Sequence, residues 1–114
     1  MTRPRGAPAV GVSRKAWHRL TRFQQIVYRA VCAVPMGETR SYQWVAEAIG
    51  RPRAARAVGQ ALHRNPFAPT VPCHRVVRAD GTLGGYAGGL ARKRRLLQTE
   101  YRRVSLLTRK RKRV

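Results

Sequence analysis

The chain has 114 residues, room for one domain and its terminal extensions. A hydrophobic content of 43% permits a modest core, while Lys and Arg total 25 against 4 Asp and Glu, a formal charge of +21. A chain this basic needs an anionic partner, and because no apolar run could span a bilayer and the N-terminus lacks a signal peptide's apolar stretch, nucleic acid is favoured over a membrane.

In chain order, residues 1–14, with Pro4, Gly6, Pro8 and Gly11, read as a flexible basic arm before a domain over 15–104. Phe23, Ile26, Val27, Ala30, Val31 and Val34 recur at helical spacing and predict an amphipathic helix that Pro35 and Gly37 end. Cys32, beside that stripe, reads as a small packed thiol. Ser41 is a candidate N-cap for a short helix, Tyr42 to Ile49, closed by Gly50.

Pro52 stands where a third helix would start, running from about Arg53 to Arg64 and stopping at Asn65, since Pro66 pushes its predecessor out of helical geometry. Two short helices joined by a tight Gly-containing turn make a helix-turn-helix. The third helix has an inward side of Ala54, Ala57, Val58, Ala61 and Leu62, and an outer side of Arg53, Arg56, Gln60 and Arg64. Most basic stripes are solvated faces, but the turn, the small inner residues and the overall charge favour DNA contact here.

The run Val71 to Val77, VPCHRVV, sets Cys73 beside His74 after a stiffening proline. A thiolate is the nucleophilic form of cysteine, and a neighbouring base can generate it. Asp80-Gly81, between Val76-Val77-Arg78 and Thr82-Leu83-Gly84, signals a short β-hairpin next to this loop. The glycines around Tyr86 (Gly84, Gly85, Gly88, Gly89) would let a flat ligand approach the backbone. A last helix, about Leu90 to Glu100, carries Leu90, Leu97 and Tyr101 on one side. The stretch 105–114 reads as a basic tail, serving as solvated end, phosphate anchor or localisation tag. Cys32 and Cys73 belong to no CxxC pair, and His18, His63 and His74 lack ligand spacing, so no zinc site or other metal is expected. A reducing interior suits a free Cys73.

From Phe23 to Glu100 the chain resembles the C-terminal DNA-binding domain of O6-alkylguanine-DNA alkyltransferases, the methylated-DNA–protein-cysteine methyltransferases. The likeness rests on SYQ at Ser41 to Gln43, AARAVG at Ala54 to Gly59, Asn65-Pro66, PCHRVV at Pro72 to Val77 and GYAGGL at Gly85 to Leu90. It implies a mainly α, winged-helix-like helix-turn-helix domain that transfers the alkyl group of O6-alkylguanine in DNA to its own Cys73, once per molecule and without a cofactor. By matching position, His74 would be the base, acting through a water, and Glu100 would orient it. Asn65 would be the hinge between recognition helix and active-site loop. Arg56 would fill the space of the extruded base, and Tyr42 would press on the phosphate that rotates. Tyr86 would donate to the flipped guanine, and the carbonyls of Cys73 and Val76 would accept from its amine. Val76, Gly84, Gly85 and Ala87 would form the pocket, and Arg53, Gln60 and Arg64 would join Arg56 on double-stranded DNA. The family docks this helix in the minor groove. A monomer is implied, in the cytoplasm at the nucleoid for a prokaryote or the nucleus for a eukaryote.

The chain departs from the family in places. Relatives usually carry a further N-terminal domain, Ala87 stands where many have a hydroxyl residue, and Trp44 replaces a small or polar one. The runner-up function is a non-catalytic lesion sensor of the alkyltransferase-like type. Such proteins replace the reactive cysteine, which this chain keeps. An architectural DNA binder would leave PCHRV and the glycine loop unexplained.

Overall fold

The computed structural model describes residues 12–86 and 88–112, with side chains as far as Thr108. Most of the expected N-terminal arm and Ala87 lie outside the described residues. A short helix that the periodicity did not signal comes first: α1, Arg14–His18, capped by the Ser13 hydroxyl, which accepts from the Ala16 amide at 3.1 Å. It drives Trp17 fully into the core.

Helix α2, Arg22–Cys32, opens on a reciprocal cap in which Thr21 and Gln24 each accept from the other's backbone amide. Its inner face buries Val27, Tyr28 and Val31. Burial pushes the Tyr28 hydroxyl up to about 12, so it remains a proton donor, held by the Ala61 carbonyl of the recognition helix at 2.7 Å. Cys32 corrects its expectation: it is exposed, on the outer side of the stripe.

Strand β1 is Arg40–Ser41, and α3 follows as Tyr42–Ala48, with the Ser41 hydroxyl accepting from the Trp44 amide at 2.9 Å as its cap. The helix closes at Gly50, whose φ of +76° lets the Arg51 amide reach back to the Ala46 carbonyl at 2.9 Å and its own amide to Glu47 at 3.0 Å.

Helix α4 is Ala55–His63, beginning two residues later than expected. Pro52 does not start it. The prolyl residue sits inside a turn that the Ala54 amide closes onto the Arg51 carbonyl at 2.9 Å, a placement its fixed φ favours equally well. Val58, Ala61 and Leu62 are buried, but Ala57 is exposed, and Ala55 takes the packing position instead. Helices α2, α3 and α4 form one cluster, with Val45, Ala46 and Val71 in the same core. Each of the buried valines contributes on the order of 1.5–3 kcal/mol by leaving water.

A single 3-10 turn, Cys73–Arg75, leads into β2, Val76–Val77. The expected hairpin does not form. Asp80-Gly81 does reverse the chain: the Arg78 amide meets the Thr82 carbonyl at 2.9 Å, and Asp80 caps Thr82. But β2 pairs with β1 in parallel, Arg40 opposite Val76 and Ser41 opposite Val77. The carbonyls of Leu83 and Gly85, which a returning strand would offer, are taken by the buried ammonium of Lys93.

The last helix, α5, runs unbroken as Leu90–Lys112, past the end expected near Glu100. Leu90 and Tyr101 stay exposed. Lys93, Leu96, Leu97 and Glu100 turn inward, and Val104 lies against Gly37, where an added Cβ would come within 2.9 Å of it. Among the described residues no helix is long and apolar enough to cross a membrane.

Candidate active site

Cys73 stands at the start of the 3-10 turn, only 4% exposed, and opens onto a cleft of about 870 Å³. Arg56 and Gln60 of α4, Arg64 at its C-cap, Tyr42 of α3, Arg78, Gly85 and Tyr86 share the lining. One cavity thus joins the outer face of the second helix-turn-helix helix to the thiol. Arg53 is exposed in the turn before α4 and does not line it.

Tyr42 is wedged at the back of the cleft. A Cβ on Gly84 would lie 2.7 Å from its hydroxyl oxygen, and one on Gly59 would touch its ring at 3.8 Å. Gly84 also holds a φ of +69°, so glycine is required there twice over, by conformation and by space. Tyr86 is 8% exposed and meets the His74 ring edge-on, centroids 6.4 Å apart.

Asn65 is buried at the end of α4. Its amide nitrogen donates to the Val71 carbonyl at 2.9 Å, and its amide oxygen accepts from the Phe67 backbone at 2.9 Å. These bonds tie the recognition helix to the segment that delivers Cys73. Burial pushes the Cys73 thiol above its ordinary 9.0, while the Asn65 side chain and the charge of Lys93 pull the other way. The resting thiol is therefore protonated at neutral pH and needs a base.

His74, the next residue, is 2% exposed, with Nε2 3.0 Å from Glu100 Oε1. Neither ring nitrogen has a well-aligned hydrogen-bond partner among the described residues. Burial holds the imidazole below its ordinary 6.5 against the pull of Glu100, with Arg75 and Lys93 adding to the lowering. Burial alone would raise Glu100, but the Arg75 bonds and His74 outweigh it and keep the carboxyl below 4.5.

Two residues at the site went unassigned in the sequence. Arg75 grips Glu100 with Nε on Oε1 at 3.0 Å and Nη2 on Oε2 at 2.6 Å, while Nη1 donates to the Val34 carbonyl at 2.8 Å. Its signal was its place inside PCHRV, next to His74. Lys93 is fully buried, and its ammonium donates to the carbonyls of Val76 at 2.8 Å, Leu83, and Gly85 at 3.1 Å. Burial brings it down to about 8. Its signal was a lysine on the inward side of α5, between Leu90 and Leu97. Val76 is buried in β2 and lies behind the cleft rather than on its wall, so its carbonyl, already accepting from Lys93, has only its second lone pair for a ligand. Among the described residues no three His, Cys, Asp or Glu side chains are grouped to hold a metal ion.

Comparison with known proteins fits this geometry. Residues 22–102 match the family model described as 6-O-methylguanine DNA methyltransferase, DNA binding domain. A methylated-DNA–protein-cysteine methyltransferase of Mycobacterium leprae is 57% identical over 84 residues, 74% of this chain and 51% of that protein. One of Methanosarcina barkeri is 55% identical over 80 residues, 70% of this chain and 51% of that protein. The chain spans about half the length of these curated relatives. In three dimensions it is similar to Mycobacterium tuberculosis OGT in complex with DNA, with a TM-score of 0.73 at 56% identity, covering 75% of this chain and 53% of that one. It is also similar to S. pombe Atl1 in complex with damaged DNA containing O6-carboxymethylguanine, with a TM-score of 0.65 at 36% identity, covering 72% and 78%. This chain, through the domain formed by residues 22–102, belongs to the 6-O-methylguanine DNA methyltransferase family.

Proposed function

We propose that this chain repairs DNA by moving the alkyl group of O6-alkylguanine onto Cys73, one transfer per molecule. The observation that carries the reading is a buried thiol that opens into a cleft walled by Arg56, Gln60 and Arg64, with a buried imidazole next in sequence. The relatives' names and the M. tuberculosis complex with DNA support the substrate class.

The alkyl carbon of such a lesion is buried in the base stack, so the nucleotide must swing out, at a cost of a few kcal/mol. Arg56, exposed at the cleft mouth, would fill the vacated space, and Tyr42 would meet the rotated phosphate. Tyr86 faces the cleft where the guanine would sit. His74 takes the thiol proton, directly or through a water, and the thiolate sulfur attacks the alkyl carbon. The S–C bond forms as the C–O6 bond breaks. The electron pair left on O6 spreads over the guanine, stabilised by the Tyr86 hydroxyl, and the purine takes up the proton that left the thiol. Products are a thioether and unmodified guanine. Water does not readily cleave a thioether, hence the single turnover.

To test this, the protein is mixed with a duplex containing O6-methylguanine, digested, and the Cys73 peptide weighed. One added methyl is expected, with Cys73→Ser losing transfer yet still retaining the duplex in a gel shift. A bound duplex with an unmodified Cys73 peptide would instead mark a lesion sensor. Loss of duplex binding in Cys73→Ser would make Cys73 structural.

A further inference from the structure

The chain has 4 carboxylates, and each is engaged within it: Glu38 with Arg40, Glu47 with Gln43, Asp80 with Thr82, and Glu100 with Arg75 and His74. Only the last is at the candidate active site, and Arg75 holds it by both oxygens. The guanidinium is itself moored, because its third nitrogen donates to the Val34 carbonyl just beyond α2. A planar fork on a carboxylate fixes the plane of that carboxylate, which a lysine's point charge would not do. Oε1, which already accepts from Arg75 Nε, is thereby held 3.0 Å from His74 Nε2.

We propose that Arg75 is a positioning residue for alkyl transfer, holding Glu100 so that His74 keeps its proton on Nε2 and presents a free Nδ1 to the Cys73 proton. This rests on the alkyl-transfer reading above. Two consequences follow from the geometry. Both ring nitrogens are buried without a hydrogen bond among the described residues, and the 3.0 Å approach of Glu100 Oε1 to Nε2 is what favours the proton there; an imidazole protonated on Nε2 carries its lone pair on Nδ1. A carboxylate already saturated by a guanidinium is also a weaker partner for an imidazolium, so Glu100 orients the ring without charging it. The groups facing His74 are Glu100 and Lys93 from α5, Tyr86 from the glycine loop, and Cys73 and Arg75 from its own turn. Burial, with the two cations helping it against the one carboxylate, favours the neutral ring.

The experiment reads His74 directly, by its ring NMR signals in the unreacted protein, alongside methyl transfer to Cys73 as a function of pH. In the wild type the nitrogen shifts should report the neutral Nε2–H tautomer at pH 7. An imidazolium or the Nδ1–H tautomer there would overturn the proposal without any variant. In Arg75→Gln the His74 midpoint and the acid limb of transfer should both move up by about one unit. Arg75→Lys, which keeps charge but not the fork, should hold the midpoint near wild type while slowing transfer at every pH. A folded Arg75→Gln whose His74 midpoint is unchanged and whose rate falls by one factor at all pH values would reduce Arg75 to a structural tie. If wild-type Cys73 takes up no methyl while these His74 shifts appear, the transfer reading fails and the positioning of the imidazole stands.

Discussion

A lysine with no exposed surface is the least expected side chain of this molecule. Lys93 survives burial because its three ammonium hydrogens meet three carbonyls, those of Val76, Leu83 and Gly85. It therefore both shapes the loop behind the cleft and supplies positive charge near the Cys73 sulfur, where burial otherwise opposes the thiolate. Lys93→Met removes that charge. The pH at which Cys73 reaches half its maximal rate with iodoacetamide should rise, and an unchanged profile would mean the ammonium acts on the backbone alone. Arg56 makes a separate prediction. Arg56→Ala should weaken action on duplex lesions more than on the free modified base, because a wedge matters only where a stack must be opened. Equal losses, measured as second-order transfer rates on the two substrates, would remove that role.

Among the elements, two glycines separate conformational cost from packing. Gly50 closes α3 at φ +76° with open space around it, so Gly50→Ala should cost about 1–2 kcal/mol of stability and leave transfer rates intact. Gly84 holds φ +69° with Tyr42 in the way, and Tyr42 lines the cleft. Gly84→Ala should lower the denaturation midpoint further and also weaken duplex binding. Chemical denaturation and a gel shift on both variants check the contrast. The same comparison explains what the periodicity missed. The Asp-Gly turn was legible and forms, but local turn chemistry does not choose a strand's partner. Ser41, by contrast, was legible as a cap because its bond closes within four residues.

For the whole molecule, two titrations at the site contribute to acid stability. His74 is depressed below 6.5 and Glu100 below 4.5, so the folded state binds fewer protons than the unfolded one in both windows. Stability should thus begin to fall as the pH drops below 6.5 and fall further below 4.5. His74→Gln should abolish the first of these losses in a series of thermal melts. Charge acts at the same scale. With +21 overall and Arg56, Arg64 and Arg78 on the cleft, duplex affinity should fall with salt by about 0.9 log units per log unit for each phosphate neutralised. Arg64→Ala should flatten that slope by about one contact, as read from binding isotherms at several salt concentrations.

The succession of helices α2 to α5, the Ser41 cap of α3, the basic outer face of α4 and the adjacency of Cys73 to His74 were readable along the chain, because each depends on residues within a few positions of one another. Which side of α5 turns inward, the parallel pairing of Val76 with Arg40, the grip of Arg75 on Glu100 and the burial of Lys93 were settled only by the packed fold. These contacts join segments 8 to 36 residues apart, and a charged side chain reveals its buried role only when distant backbone carbonyls or carboxylates arrive to satisfy it.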